Sequence, residues 1–304
     1  MSMHRRTFIL NAAAAVAATA VRAAPGQKGH IATNTYPWGT FARREGKKYP
    51  PHGDELLGAI ASAGIDGYEA SFLKPEEFDG LGARLRAYGL EMRSLYVNST
   101  LHDAAQADAS IESVLAVARR AAELGTRIVV TNPSPIKWGG PENKTDEQLI
   151  FQGRALDRLG AELRKLGMVL AYHNHDIELR HGAREFHHML TATDPEYVKF
   201  CLDAHWVFRG CGDSQVALFD VIEHYGDRIV ELHLRQSIGG KWSEVFTAEG
   251  DIDYARLAEW LKGRGLRPQL SLEQAVEKGS PETMDAVAAH KVSVGNARRL
   301  FAGA

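Results

Sequence analysis

The feature that most restricts the fold of this chain is an alternation of short apolar runs with longer helical stretches, repeated eight times after residue 30. Each apolar run ends in polar residues. The stretch behind it has a period of roughly 3.6 residues and stops at or beside a glycine. Strands are expected at 31–37, 67–72, 92–98, 127–132, 169–175, 198–206, 229–235 and 269–274. Helices are expected at 54–63, 75–88, 110–124, 145–166, 183–192, 214–225, 251–264 and 281–301. Leu124-Gly125, Leu166-Gly167 and Arg264-Gly265 mark helix ends, and Asp251 or Asp253 supplies an N-cap. Strands alternating with helices give a parallel sheet, and eight such units are the count of a closed barrel of roughly 250 residues. An open, doubly wound sheet would place a glycine-rich turn after its first strand; here that strand runs into Tyr36-Pro37-Trp38-Gly39. No linker or second domain interrupts the pattern. Residues 26–304 are therefore read as one α/β domain, a single (β/α)8 TIM barrel.

The first 25 residues stand apart. Arg5-Arg6 precede an apolar, alanine-rich run from Thr7 to Val21, and Val21-Arg22-Ala23 offers small residues at the cleavage positions. That is the layout of a cleaved signal peptide over residues 1–25. Arg-Arg-Thr-Phe-Ile-Leu resembles the twin-arginine export signal, which implies passage through the twin-arginine translocation machinery and a periplasmic mature protein. The apolar run is too short to predict a stable membrane span. The chain is 44% hydrophobic and 24% charged with a formal net charge of −2, a globular profile without the basic excess that nucleic acid would require. Cys201 and Cys211 cannot build a disulfide framework and are expected as buried free thiols.

In a barrel of this kind the active site lies at the C-terminal ends of the strands. Strands five to eight end in Ala171-Tyr172-His173, Cys201-Leu202-Asp203, Glu231-Leu232-His233 and Ser271-Leu272-Glu273. The middle residue of each triplet points to the helices and the third to the interior, because side chains alternate along a strand. His173, Asp203, His233 and Glu273 thus converge at one depth. Buried ionisable groups need partners or a cation, and two imidazoles with two carboxylates suit one divalent ion such as Mn²⁺, Co²⁺, Zn²⁺ or Fe²⁺. Glu69 on strand two shares that phase, as a general base or as a partner that orients a ligand. One step further out come His175, His205 and Arg235, for substrate hydroxyls and proton transfer. Glu178 either reaches the mouth or caps the next helix. Trp38, Trp138, Trp206 and Trp242 fall on or after strand ends, and Trp38 and Trp206 are taken as faces for a sugar ring.

These motifs are similar to those of the xylose isomerase-like TIM barrel superfamily, the sugar phosphate isomerase/epimerase family, and its inosose dehydratase-like branch. The resemblance rests on Ala171-Tyr172-His173-Asn174-His175-Asp176, Leu202-Asp203-Ala204-His205-Trp206, His233-Leu234-Arg235 and Leu272-Glu273. Glu249-Gly250-Asp251-Ile252-Asp253 resembles the family's turn before helix seven. The resemblance implies a metal held from strands five to eight, on to which Asp203, His233 and Glu273 map. His173 stands where many members carry glutamate, with His175 as the alternative fourth ligand. Strand seven usually continues with Lys and Asp, whereas this chain has Arg235-Gln236.

The implied activity is that of a divalent-metal-dependent isomerase or epimerase, or a dehydratase or lyase. The substrate is expected to be a non-phosphorylated keto-sugar, keto-glycoside or inosose, attacked by proton abstraction next to a metal-polarised oxygen. Glu69, His175 and Glu273 are the acid/base candidates. No glycine-rich phosphate cradle follows the strands, and an exported enzyme meets few sugar phosphates. Two other readings share the fold. One is a non-catalytic periplasmic carbohydrate-binding barrel. The other is a metal-dependent abasic-site endonuclease, which export and the missing basic face disfavour.

Overall fold

The protein is described by a computed structural model over residues 29–303 apart from Leu73, so the expected leader at 1–25 lies outside the described residues. Seven parallel strands follow one another around a barrel: β1 (Ile31–Asn34), β2 (Gly67–Ser71), β3 (Ser94–Tyr96), β4 (Ile128–Thr131), β5 (Val169–His173), β6 (Val198–Asp203) and β7 (Ile229–Leu234). A small antiparallel hairpin, β8 (Ser237–Ile238) and β9 (Lys241–Trp242), comes next, and β10 (Gln269–Leu272) then closes the barrel between β7 and β1. The surrounding helices are α1 (Thr35–Arg44), α2 (Asp54–Ser62), α3 (Leu81–Ala87), α4 (Ala107–Ala122), α5 (Asp146–Lys165), α6 (Arg180–Ala192), α7 (Ala204–Gly210), α8 (Gln215–Tyr225), α9 (Tyr254–Arg264) and α10 (Ala286–Leu300). No described helix is long and apolar enough to cross a membrane.

All eight expected strands are present, and two of them, β1 and β6, end earlier than expected because their last polar residue turns back as a helix cap. The Asn34 side chain accepts from Tyr36 N, and Asp203 accepts from Trp206 N. The residues beyond, expected as strand, are helical instead. Pro37 fits the first turn of α1, where no amide donor is needed. The stretch expected as one helix at 75–88 divides into a 3₁₀ turn (Pro75–Phe78) and α3, since Gly80 adopts the left-handed φ of 70°. The start of α6 is interrupted by His181, Gly182 and Ala183, all left-handed. Asp253 is the cap of α9, whereas Asp251 accepts from the amides of Gly239 and Gly240 in the β8–β9 turn.

Alternation along the strands sorts the barrel into two apolar regions. Tyr172, Phe200, Leu202, Leu232, Leu270 and Leu272 face outward into the continuous core beneath the helices. Burying each such side chain stabilises the fold by about 1.5–3 kcal/mol. Val130, Ala171 and Cys201 form a small separate cluster with Tyr96, Ile128 and Val230, the plug inside the barrel. Register then aligns the site: Asp203 pairs with His233, and His233 with Ser271. The β6–β7 register shifts by one residue at Val230, since Phe200 pairs with Ile229 but Cys201 with Glu231. This bulge brings His233 level with Asp203.

Candidate active site

His173 ends β5, Asp203 ends β6, His233 is one residue from the end of β7, and Glu273 directly follows β10. All four are buried, and one donor atom from each lies within 4.8 Å of the others. His233 stands between two carboxylates, its Nε2 3.0 Å from Glu69 Oε2 and its Nδ1 2.6 Å from Glu273 Oε2. Burial opposes charge on this ring, but the Cys201 sulfur and the Glu69 and Glu273 carboxylates more than offset it, and its pKa is raised well above the histidine range. Burial likewise opposes charge on Glu273, yet Arg235 and His233 hold its carboxyl well below the usual range. Arg235 Nη2 donates to Glu273 Oε1 at 2.5 Å, and Asn34 Nδ2 donates to Oε2 at 2.8 Å.

Burial pushes Asp203 up to about 6, against the pull of Arg235 3.9 Å away. Burial, with His233 and His175 beside it, pushes His173 far down, so that it is neutral. Asp203 Oδ2 and His173 Nδ1 are buried without a hydrogen-bond partner, an omission that ordinarily costs about 1–3 kcal/mol per group. Two imidazoles and two carboxylates within 4.8 Å of one another, with Asp203 Oδ2 and His173 Nδ1 open, have the chemistry of a divalent-metal site. The converging set contains His173. His175 lies edge-on to it, with ring centroids 4.7 Å apart, and is not one of the four.

Around this set the chain places His205 and Arg235, both fully buried, and His175, which is half-buried. His205 lies in the first turn of α7, so it reaches the site by helix geometry and not by strand phase. Burial lowers His175 to about 4, and burial with Arg235 lowers His205 to about 2. His175 Nδ1, both ring nitrogens of His205 and Arg235 Nη1 have no hydrogen-bond partner. Arg235 lies 4.4 Å from the Trp242 ring, 5.0 Å from Trp206 and 5.6 Å from Tyr36, a cation–π cage. The exposed indole of Trp138 packs edge-on against His175, with centroids 5.2 Å apart.

Trp38 and Glu178 depart from their expected roles, and the position of Glu69 favours one of its two. Trp38 is not a sugar platform: it is fully buried in α1, stacked 4.2 Å from His290 of α10, and its Nε1–H donates to Thr33 Oγ1. Its position after β1 is in phase with the helix interior and not with the barrel mouth. Glu69 lies fully buried behind His233 and accepts from Ser271 Oγ at 2.7 Å, the arrangement of a residue that orients a ligand. Glu178 neither caps α6 nor enters the site. It accepts from His175 N and Asn132 Nδ2, and burial together with Glu185 raises it to about 7. Cys201 is buried as expected, whereas Cys211 is half-buried at the end of α7; both are free.

Sequence reasoning passed over Asn34, Ser94, Asn174, Tyr36 and Glu231. Asn174 exchanges hydrogen bonds with the Asp203 backbone, and Ser94 Oγ donates to Glu231 at 2.8 Å. Glu231 carried a signal, as the first and therefore inward member of its triplet. Asn34 ends its strand as Asp203 does. Tyr36 and Asn174 follow no period and show themselves only in space.

A family model described as xylose isomerase-like TIM barrel matches residues 57–291. The inosose dehydratase of Geobacillus kaustophilus (strain HTA426) is 25% identical over 194 residues, which are 60% of this chain; the chain spans 61% of that relative's length. Among solved structures, a sugar phosphate isomerase/epimerase from Parabacteroides distasonis superposes with a TM-score of 0.69 at 18% identity, covering 91% of this chain and 96% of the other. A 3-keto-D-glucoside 4-epimerase from E. coli gives a TM-score of 0.67 at 15% identity, with coverages of 90% and 99%. At such identities the superpositions speak for the fold. From the matched model and the closed eight-stranded barrel, the chain belongs to the xylose isomerase-like TIM barrel family.

Proposed function

We propose that this protein is a divalent-metal-dependent enzyme that epimerises, isomerises or dehydrates a non-phosphorylated sugar, a keto-sugar, keto-glycoside or inosose, after export to the periplasm. The observation that carries this reading is the buried convergence of His173, Asp203, His233 and Glu273, with Asp203 Oδ2 and His173 Nδ1 left open. These four residues would hold the ion, which when bound supplies the Lewis acidity that eases removal of a proton beside an oxygen. The likeness to an inosose dehydratase and to a 3-keto-D-glucoside 4-epimerase supports a substrate of that kind.

The chain's own residues divide the remaining work. His233 would turn its Glu273-facing nitrogen to the ion and keep its other N–H on Glu69, which fixes the ring. Glu273, held at low pKa by Arg235 and His233, is a ligand rather than a base. His175 is neutral at pH 7 and has an open Nδ1, so it is our choice for the proton acceptor. His205 and the open Nη1 of Arg235 offer hydrogen bonds to sugar oxygens. Trp206, Trp242 and Tyr36 restrict water around them. Returning the proton to the opposite face of the same carbon epimerises the sugar, and returning it to the neighbouring carbon isomerises it. Expelling a β-hydroxyl instead dehydrates it.

The deciding experiment is elemental mass spectrometry on the mature protein purified without chelator, wild type beside Asp203→Asn. One transition metal per chain, lost together with turnover of inososes and 3-keto-glucosides in the variant, is the expected result. No metal in the wild type, and none taken up on reconstitution, would sink the reading in favour of a carbohydrate-binding barrel. Export is tested by replacing Arg5 and Arg6 with lysine, which should leave an unprocessed chain in the cytoplasm. Unimpeded processing would remove the twin-arginine route.

A further inference from the structure

Cys201 lies one interior layer below Asp203 on β6, fully buried against Val130 and Ala171. It is the register partner of His173 on one side and of Glu231 on the other. A ring nitrogen of His173, a ring nitrogen of His233 and Cys201 Sγ lie within 4.8 Å of one another. His173 Nδ1 is buried without a partner, and His173 itself is only 1% exposed. The two histidines are also members of the upper set with Asp203 and Glu273.

We infer that the barrel contains a second, deeper metal position formed by His173, Cys201 and His233, selective for thiophilic ions such as Cd²⁺, Cu⁺ or Zn²⁺. The donor chemistry differs between the two levels. The upper set, two imidazoles and two carboxylates, accepts hard or borderline ions. The lower set exchanges both carboxylates for one sulfur, which favours soft ions. Binding there forms a metal–sulfur bond and breaks the Cys201 S–H bond, releasing to solvent the thiol proton and the proton that His233 holds between Glu69 and Glu273. No electron is transferred. Because His173 and His233 serve both levels, the two positions exclude each other. A thiophilic ion in the lower position withdraws both imidazoles from the upper set, so it inhibits in competition with the catalytic ion. That inhibitory consequence rests on the function proposed above; the existence of the lower position does not.

The test is a titration of metal-free, full-barrel protein with Cd²⁺, following the ultraviolet thiolate-to-cadmium charge-transfer band and the protons released. Binding of Mn²⁺ is followed in parallel by electron paramagnetic resonance. The wild type should develop the band to saturation at one ion per chain, release protons with it, and lose bound Mn²⁺ as the band grows. Cys211→Ser should behave identically, since Cys211 sits at the end of α7 outside the barrel. Cys201→Ser should bind Cd²⁺ without the band, and Asp203→Asn should keep the band while losing Mn²⁺. Cadmium binding to the wild type without a band, or a band that persists in Cys201→Ser, would overturn the inference. Should Cys201→Ser not fold, Cys211→Ser still decides, because its band can arise only from Cys201, and its absence there overturns the inference. Failure of the upper site looks different: the band appears while the wild type binds no Mn²⁺.

Discussion

Replacing Trp38 with alanine removes a fully buried indole stacked on His290, a truncation expected to cost about 3–5 kcal/mol of stability. The KM should stay unchanged, and urea denaturation beside steady-state kinetics checks both halves of the expectation. A higher KM at unaltered stability would return Trp38 to the substrate. Glu69 is separable in the same way. Glu69→Gln keeps its shape but weakens its hold on His233, and affinity for the proposed ion should fall about 10–100-fold. The turnover of fully loaded enzyme should be nearly retained. If Glu69 were the base, kcat would collapse with the metal still bound. Single residues were legible where strand alternation governs them, as at His173, Asp203, His233 and Glu69. They were illegible where a side chain's role depends on which helix covers it, as at Trp38.

At the level of elements, α10 carries a pH-sensitive contact. His290 is buried against Trp38 and Phe41, and burial lowers its pKa to about 4 despite its hydrogen bond to Ala286 O. Unfolded, it titrates at about 6.5. Between those values the unfolded chain binds the proton that the folded chain refuses. Stability is therefore complete above about pH 6.5 and declines as the pH falls towards 4. His30, lowered to about 4 mainly by burial, acts in the same direction. His290→Phe should flatten this decline, measured as urea midpoints at pH 7 and pH 5; an unaltered slope would refute the assignment. At the start of α6, Ala183 holds a φ of 57°, which costs an L-residue about 1–2 kcal/mol. Ala183→Gly should raise the melting temperature, and no rise would count against strain at that turn. Apolar periodicity announced the strands and most helices. It missed α1 and α7 because both start at a cap, Asn34 or Asp203, that also ends a strand. A polar residue serving two elements reads as either one.

For the whole molecule, the proposed ion couples the ends of four strands, so occupancy should stabilise the entire barrel. An excess of about 100-fold over Kd adds about 2.7 kcal/mol to the unfolding free energy. Calorimetry should show the melting temperature rising on metal loading and falling with chelator, with neither shift in Asp203→Asn. An identical melting temperature in both states would argue against a bound ion. By itself the sequence determined the barrel, the count and order of its strands, and the inward phase that presents two histidines and two carboxylates. Those follow from local periodicity and from the chirality of parallel strand–helix units. Only the tertiary structure decided the rest. Closure of β10 on β1 brought Asn34 to Glu273, the bulge at Val230 set His233 level with Asp203, and packing of α10 on α1 took Trp38 out of the mouth. Each is a contact between segments far apart in the chain. Such contacts are set by register and packing, which leave no period in the residues that make them.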